Sequence, residues 1–262
     1  MAFADVALGN SVRSPFAVTI DFHDTLFSCD QWFALEVEQL IPAFLDWLAR
    51  ERRLTFDTSL VETGRVAYRR LRREIIADGI ELDAGACVDR ILGELGLSIA
   101  AEEIAGGVEH LMRGALPTAR PMPGAVELVR ELRASGARLA VISNAIYQPF
   151  LEWSLASFGL DSDFDAVVSS ARAGYYKSRP EIYRHTLATL GVPARRAVHI
   201  GDSLRFDVEG AGAAGMRTVW LDRSGDGAGD GRADLTVTSL QGLAATVLAL
   251  LERAEADGRR AF

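Results

Sequence analysis

No stretch of 18 consecutive apolar residues occurs in this chain, so it offers no helix suited to crossing a bilayer. The opening Met1-Ala2-Phe3-Ala4-Asp5 also lacks the basic start and apolar centre of a secretory signal. The expectation is a cytoplasmic protein with no membrane partner. Cysteine is scarce: Cys29 and Cys87 stand far apart without metal-type spacing, which reads as two reduced thiols. Positive charge is in deficit, with 28 Lys and Arg against 36 Asp and Glu, a net charge of -8 and a pI near 5.1. That balance excludes a nonspecific grip on nucleic-acid phosphates and leaves small molecules as the expected partners. What remains is an ordinary globular composition, 49% hydrophobic over 262 residues, enough for one large domain or two smaller ones with real cores.

The pattern changes twice along the chain. Residues 1 to 15 show no periodicity and read as a lead-in to a strand at Phe16 to Ile20. From about Gln31 to Leu116 the spacing is helical, with Phe33, Val37, Leu40, Ile41, Phe44, Leu45 and Leu48 at i, i+3, i+4 and i+7 intervals. After Pro121-Met122-Pro123-Gly124, helices and strands alternate. Strands are predicted at Arg138 to Ile142, Ala166 to Ser169, Ala197 to Ile200 and Arg217 to Leu221, with helices at Ala125 to Ser135, Tyr147 to Phe158, Glu181 to Leu190 and Phe206 to Ala214. Ser224 to Arg232, rich in Gly and Asp, reads as a surface loop before a last short strand and a helix through Glu252. Such alternation implies an α/β fold with a parallel sheet covered on both faces and ligands at the carboxyl ends of its strands. The helical block interrupts the series after its first strand and reads as an insertion.

Four segments place chemistry-bearing residues at predicted strand ends. Val18-Thr19-Ile20-Asp21-Phe22-His23-Asp24-Thr25-Leu26 ends a strand in a carboxylate followed by polar residues. Ala140-Val141-Ile142-Ser143-Asn144 ends the next predicted strand in a hydroxyl and an amide. Lys177-Ser178-Arg179-Pro180-Glu181-Ile182-Tyr183 brings a cation, and His199-Ile200-Gly201-Asp202-Ser203-Leu204-Arg205-Phe206-Asp207 brings two carboxylates. Each residue alone has an ordinary reading: Asp21 or Ser143 as a cap, Lys177 as a solvated cation, Asp202 as a turn residue. Four such segments in this order outweigh those readings.

In this order the segments closely resemble the four motifs of the haloacid dehalogenase (HAD) superfamily, across nearly the whole core from Phe16 to about Leu221. The resemblance implies a Rossmann-like three-layer core at residues 1–28 and 117–262, an all-α cap of the C1 type at 29–116, and membership of subfamily I. It also implies Mg²⁺ as cofactor, a small phosphorylated substrate, and a monomer or a homodimer. Asp21 takes the place of the nucleophile, Thr25, Ser143, Asn144 and Lys177 that of phosphoryl-binding groups, and Asp21, Asp202 and the main-chain carbonyl of His23 that of direct metal ligands, with Asp207 a ligand through water or a partner for Lys177. The chemistry is coherent: a carboxylate can accept a phosphoryl group and split one hard displacement into two steps, provided positive charge offsets the anionic substrate.

One residue departs from the pattern. His23 stands where the family's phosphatases carry a second Asp, which protonates the leaving oxygen and then deprotonates water. Histidine can do both near neutrality, and it suits leaving groups that need little protonation, such as aryl or acyl phosphates. Two alternatives stand beside this: His23 packs against the cap, or it disables turnover and leaves a protein that binds a phosphorylated ligand or catalyses a different reaction. Dehalogenation is disfavoured because Gly201-Asp202 with Asp207 is of the metal-binding type, and phosphonatase chemistry because residues 29–118 contain no lysine. A phosphomutase is disfavoured because it depends on the missing Asp. In the cap, Arg65, Arg69 and Arg73 share one helix face beside an apolar stripe of Tyr68, Leu71 and Ile75. They read as a solvated face, with a rim for a second anionic group as the functional alternative. Phe27, Trp32 and Phe33 read as cap core, with a substrate platform as the alternative, and His110, His185 and His199 as structural.

Overall fold

The computed structural model describes residues 15–225 and 231–260. The expected lead-in, apart from residue 15, and residues 226–230 of the expected surface loop lie outside them.

The first strand, β1 (Ala17–Ile20), is apolar along its whole length except for Thr19 and is buried on both faces. A strand without alternation cannot face water, and it becomes the middle of a sheet. After the short β2 (Phe27–Ser28) the chain leaves for the helical insertion, made of α1 (Asp30–Ala34), a π-helical turn (Leu35–Gln39), α2 (Leu40–Arg52), α3 (Thr58–Asp78), α4 (Ala84–Glu94) and α5 (Ala101–Ala115). Asp57 and Asp83 start α3 and α4 by accepting the main-chain N–H groups of Ser59 and Ala86 at 2.7 and 2.8 Å. The chain returns through β3 (Arg120–Pro121), which pairs antiparallel with β2, so the two linkers run side by side as a neck.

The remaining elements alternate: α6 (Ala125–Ala134), β4 (Arg138–Ser143), α7 (Gln148–Ser157), β5 (Ala166–Ser169), the single turn α8 (Ser170–Ala173), α9 (Pro180–Leu190), β6 (Ala197–Gly201), α10 (Gly210–Ala213), β7 (Arg217–Leu221), β8 (Leu235–Val237) and α11 (Leu243–Arg260). The sheet is parallel in the order β5-β4-β1-β6-β7-β8. After β5 the chain crosses to the other side of β1, so β1 sits at the switch point where α/β sheets hold their ligands. No helix among the described residues is long and apolar enough to cross a membrane, and both cysteines are free and buried.

Two places depart from the expected periodicity. The predicted helix from Phe206 is a π-helical turn over Leu204–Glu209 followed by α10. Here both Asp207 and Val208 donate N–H to Ser203 O, at 2.8 and 3.2 Å, and the widened turn aims the Asp207 carboxylate inward. The other π turn, Leu35–Gln39, rotates the helical stripe. Phe33 just before it and Val37 within it are 47% and 41% exposed, while Glu36 goes in. Phe27 and Trp32 are core as expected, but Phe33 is a surface aromatic at the cleft.

Candidate active site

Pairing continues one residue past β1, where the Asp21 N–H donates to Ile200 O at 2.9 Å. This sets the Asp21 carboxylate on the carboxyl edge of the sheet. A compact turn follows: Leu26 and Phe27 donate back to Phe22 O, and Asp24 takes a left-handed backbone with φ 58° while donating to Phe27 O at 2.8 Å. His23 and Thr25 ride on this turn.

Lys177 is the only lysine in the chain, every other long cationic side chain being arginine. It is 2% exposed, and its ammonium donates to Asp21 Oδ1 and to Asp207 Oδ1, the latter at 2.6 Å. Its own N–H donates to Asn144 Oδ1 at 2.7 Å, which ties the loop after β4 to the segment bearing the lysine. Asp207 Oδ2 accepts the Ser203 N–H at 2.9 Å. Two glycines make this closeness possible. A Cβ on Gly201 would come within 2.2 Å of the Asp207 carboxyl carbon, and one on Gly210 within 2.2 Å of the Lys177 carbonyl oxygen.

Beneath the carboxylates lies a line of groups whose link to the site the motifs do not show: Thr19, and His199, which reads as structural in the sequence. His199 Nε2 lies 3.0 Å from Asp207 Oδ1, and His199 Nδ1 lies 2.7 Å from Thr19 Oγ1. A carboxylate only accepts, so Nε2 carries the hydrogen and Nδ1 accepts from the threonine hydroxyl. His199 packs edge-on against Tyr183, whose hydroxyl donates to Phe206 O at 2.7 Å. A polar Thr19 and His199 inside otherwise apolar strands, and a lone lysine, were the signals available.

Charge in this pocket is unbalanced. Asp21, Asp202 and Asp207 each present an oxygen, all within 4.8 Å of one another, and one lysine opposes them. Burial would raise Asp207, but the Lys177 charge and the His199 hydrogen bond hold its carboxyl well below the usual range. Burial likewise would lower Lys177, and Asp207 and Asp21 keep it above its ordinary value. Burial pushes Asp21 up to about 8 against the pull of Lys177, and Asp207 and Asp202 add to the rise. Burial and then Asp207 push Asp202 up to about 6. A cluster of hard oxygen donors with too little positive charge fits a divalent cation, which takes carboxylate oxygens and relieves this repulsion.

The structure thus gathers Asp21, Lys177, Asp202 and Asp207, attaches Asn144 to the Lys177 main chain, and places buried Ser143 at the end of the strand next to β1. Thr25 is fully buried, and its hydroxyl has no hydrogen-bond partner. The His23 ring is not part of the carboxylate group. It lies flat on Phe33 and tilted against Trp32, with Nδ1 3.4 Å from Asp24 and a buried Nε2 lacking a partner. Burial lowers its pKa below the ordinary value, despite the nearby carboxylates of Asp24 and Asp30. The arginine face is mostly engaged: Arg65 faces Glu62 and Arg69 faces Glu38 at 3.6 and 3.8 Å.

Known proteins share this architecture. The family described as haloacid dehalogenase-like hydrolase matches residues 17–215. A glyceraldehyde 3-phosphate phosphatase of Methanothermobacter thermautotrophicus is 29% identical over 211 residues, covering 79% of this chain and 85% of that protein. A protein of the same description from Pyrococcus abyssi is 31% identical over 134 residues, 51% of this chain and 56% of its own length. Among solved structures, the fold is shared with a HAD phosphatase of Thermococcus onnurineus (TM-score 0.60, 24% identity, 89% of this chain and 97% of that one). It is shared equally with a 2-haloacid dehalogenase of Pseudomonas syringae pv. tomato (TM-score 0.66, 23% identity, 90% and 99%).

Proposed function

Because the chain belongs to the haloacid dehalogenase-like hydrolases, with the family's helical cap inserted in an α/β core, we propose that it is a Mg²⁺-dependent phosphatase of small phosphate esters. The observation that carries this is the Asp21 carboxylate, held by Lys177 and facing Asp202 and Asp207 within 4.8 Å. Asp21 and Asp202 would hold the ion, with Asp207 and the main-chain carbonyl of His23 beside them. When bound, Mg²⁺ supplies positive charge that lets two anions meet.

Asp21 attacks phosphorus as the bond to the leaving oxygen breaks, forming an aspartyl phosphate. Lys177 spreads its charge over the transferring oxygens, while Ser143, Asn144 and Thr25 line the phosphoryl position. His23 gives a proton to the leaving oxygen, then takes one from the water that cleaves the acyl phosphate and frees Asp21. Since burial lowers the His23 pKa, the neutral ring prevails at neutral pH. That form is a ready base for the second step and a scarce acid for the first. The leaving group must therefore tolerate departure with little protonation, which favours aryl and acyl phosphates over alkyl esters. The relative from M. thermautotrophicus bears the name of a glyceraldehyde 3-phosphate phosphatase, and because that compound is an alkyl ester, a triose phosphate belongs in the substrate panel beside an aryl phosphate. A cap closing over the site would favour small substrates.

A second reading draws on the His23 ring being packed on Phe33: the residue has left proton transfer, and the protein binds a phosphorylated ligand without turnover. Phosphate release from both ester classes, with and without Mg²⁺, decides between them. Release by wild type that is lost in Asp21→Asn supports the phosphatase. Silence from wild type with activity in His23→Asp supports the second reading.

A further inference from the structure

The turn joining α3 to α4 reaches out of the helical insertion and onto both loops that carry phosphoryl-binding residues. Tyr176 donates N–H to Gly79 O at 3.0 Å, Glu81 to Gly174 O at 3.1 Å, and Ala84 to Ile146 O at 2.8 Å. Ile80 and Tyr175 form an antiparallel bridge at the same place. Tyr176 immediately precedes Lys177, and Ile146 follows Asn144 by two residues. Besides the β2–β3 neck, the insertion therefore has a seat against the site loops themselves.

Two buried carboxylates of the insertion act at this seat. Glu36, turned inward by the π turn, receives the Ile146 N–H on both oxygens, at 3.0 and 3.1 Å. Glu81 forms a two-point pair with Arg72 at 2.6 and 3.2 Å and accepts the Ser170 hydroxyl at 2.9 Å. The Ser170 oxygen in turn accepts the Ala145 N–H at 2.9 Å. Two successive main-chain N–H groups after Asn144 thus end on acidic side chains of the insertion, one directly and one through a serine. Glu36, Arg72, Glu81 and Ser170 are all buried. A buried ion pair costs much of what it gains through desolvation, so stability alone is a weak reason to keep this set where apolar side chains would pack. What it provides is direction: the N–H groups of residues 145 and 146 have one place to point.

We infer that Glu36 and Glu81 are positioning residues, which fix the loop carrying Asn144 and thereby the spacing of Ser143 and Lys177 around the phosphoryl group. The link runs through Asn144 Oδ1, which holds the Lys177 N–H at 2.7 Å. The inference rests on the phosphatase reading for its kinetic consequence and on geometry alone for its structural one.

The test compares Glu36→Ala, Glu36→Gln and Ser170→Ala with wild type in the full chain. Ser170→Ala cuts the path from Glu81 to Ala145 without removing a charge, and it serves if Glu36→Ala does not fold. Two readouts are taken at temperatures where every variant is folded: the main-chain amide resonances of Asn144 and Lys177, and kcat and KM on an aryl phosphate with Mg²⁺. Glu36→Ala and Ser170→Ala are expected to shift both resonances and to lower kcat by between about tenfold and about a hundredfold, the usual effect of a small misplacement around a reacting group. Glu36→Gln, which keeps an acceptor oxygen, recovers most of that loss. Unmoved resonances, or a Gln variant as impaired as the Ala variant, overturn the inference. Shifted and recovered resonances in a protein that releases no phosphate uphold the positioning and overturn the phosphatase reading instead.

Discussion

His23 lies flat against Phe33, ring centroids 4.4 Å apart and planes 10° from parallel. The aromatic face excludes water from one side of the imidazole, and burial is the largest cause of its lowered pKa. Replacing Phe33 by Ala hydrates the ring and favours the imidazolium. His23 is therefore expected to titrate below the ordinary histidine value in wild type and closer to it in Phe33→Ala, followed by NMR of the imidazole carbons in metal-free protein. An unchanged midpoint would assign the low value to another cause.

Among the described residues, Lys177 is the one cation paired with Asp21 and Asp207 in the buried cluster. Lys177→Met leaves these carboxylates facing each other without it. The expected result is a loss of about 3 kcal/mol in urea unfolding and of at least about 10³ in turnover. Lys177→Arg keeps the charge, yet its planar fork does not fit where a compact ammonium meets two oxygens, and activity should not return.

Metal loading should expel protons. Without a cation Asp21 is pushed up to about 8 and Asp202 to about 6, so near neutral pH Asp21 holds a proton that a bound cation displaces. Calorimetry of Mg²⁺ binding in buffers of different ionisation enthalpy should report release of close to one proton, with a rise in Tm on loading. Asp202→Asn should weaken binding by at least about tenfold. Binding with no proton release would contradict the charge balance inferred for the pocket.

Glu36 makes stability depend on pH. Burial pushes its carboxyl from 4.5 up to about 8, with Arg72 opposing the rise and Glu81 adding to it. Between these values the folded state holds a proton that the unfolded chain has released, so stability falls as pH rises. From about pH 5.5 to about pH 8 this group should remove about 3 kcal/mol. Glu36→Gln has no such proton, and its unfolding free energy should show a flatter pH dependence in denaturant titrations. Equal slopes for the two proteins would show that Glu36 is ionised throughout.

The sequence alone carried the α/β alternation, the helical insertion after the first strand, and the four strand-end segments, because these are short-range patterns. An apolar run, a helical period and a carboxylate after a strand each fit within a dozen residues, and their order along the chain names the family. What only the folded chain decided was direction. The apolar period of 33–48 did not reveal that Phe33 faces out to His23 or that a π turn brings Glu36 in to Ile146. His199 stands only 8 residues from Asp207, but Thr19 meets the histidine across 180, and only the pairing of β1 with β6 lines the three up. Nothing local marked Glu81 and Ser170, which meet across 89 residues. Hydrogen bonds between buried polar groups are set by which backbones the packing brings within 3 Å, and that distance has no counterpart in a one-dimensional pattern.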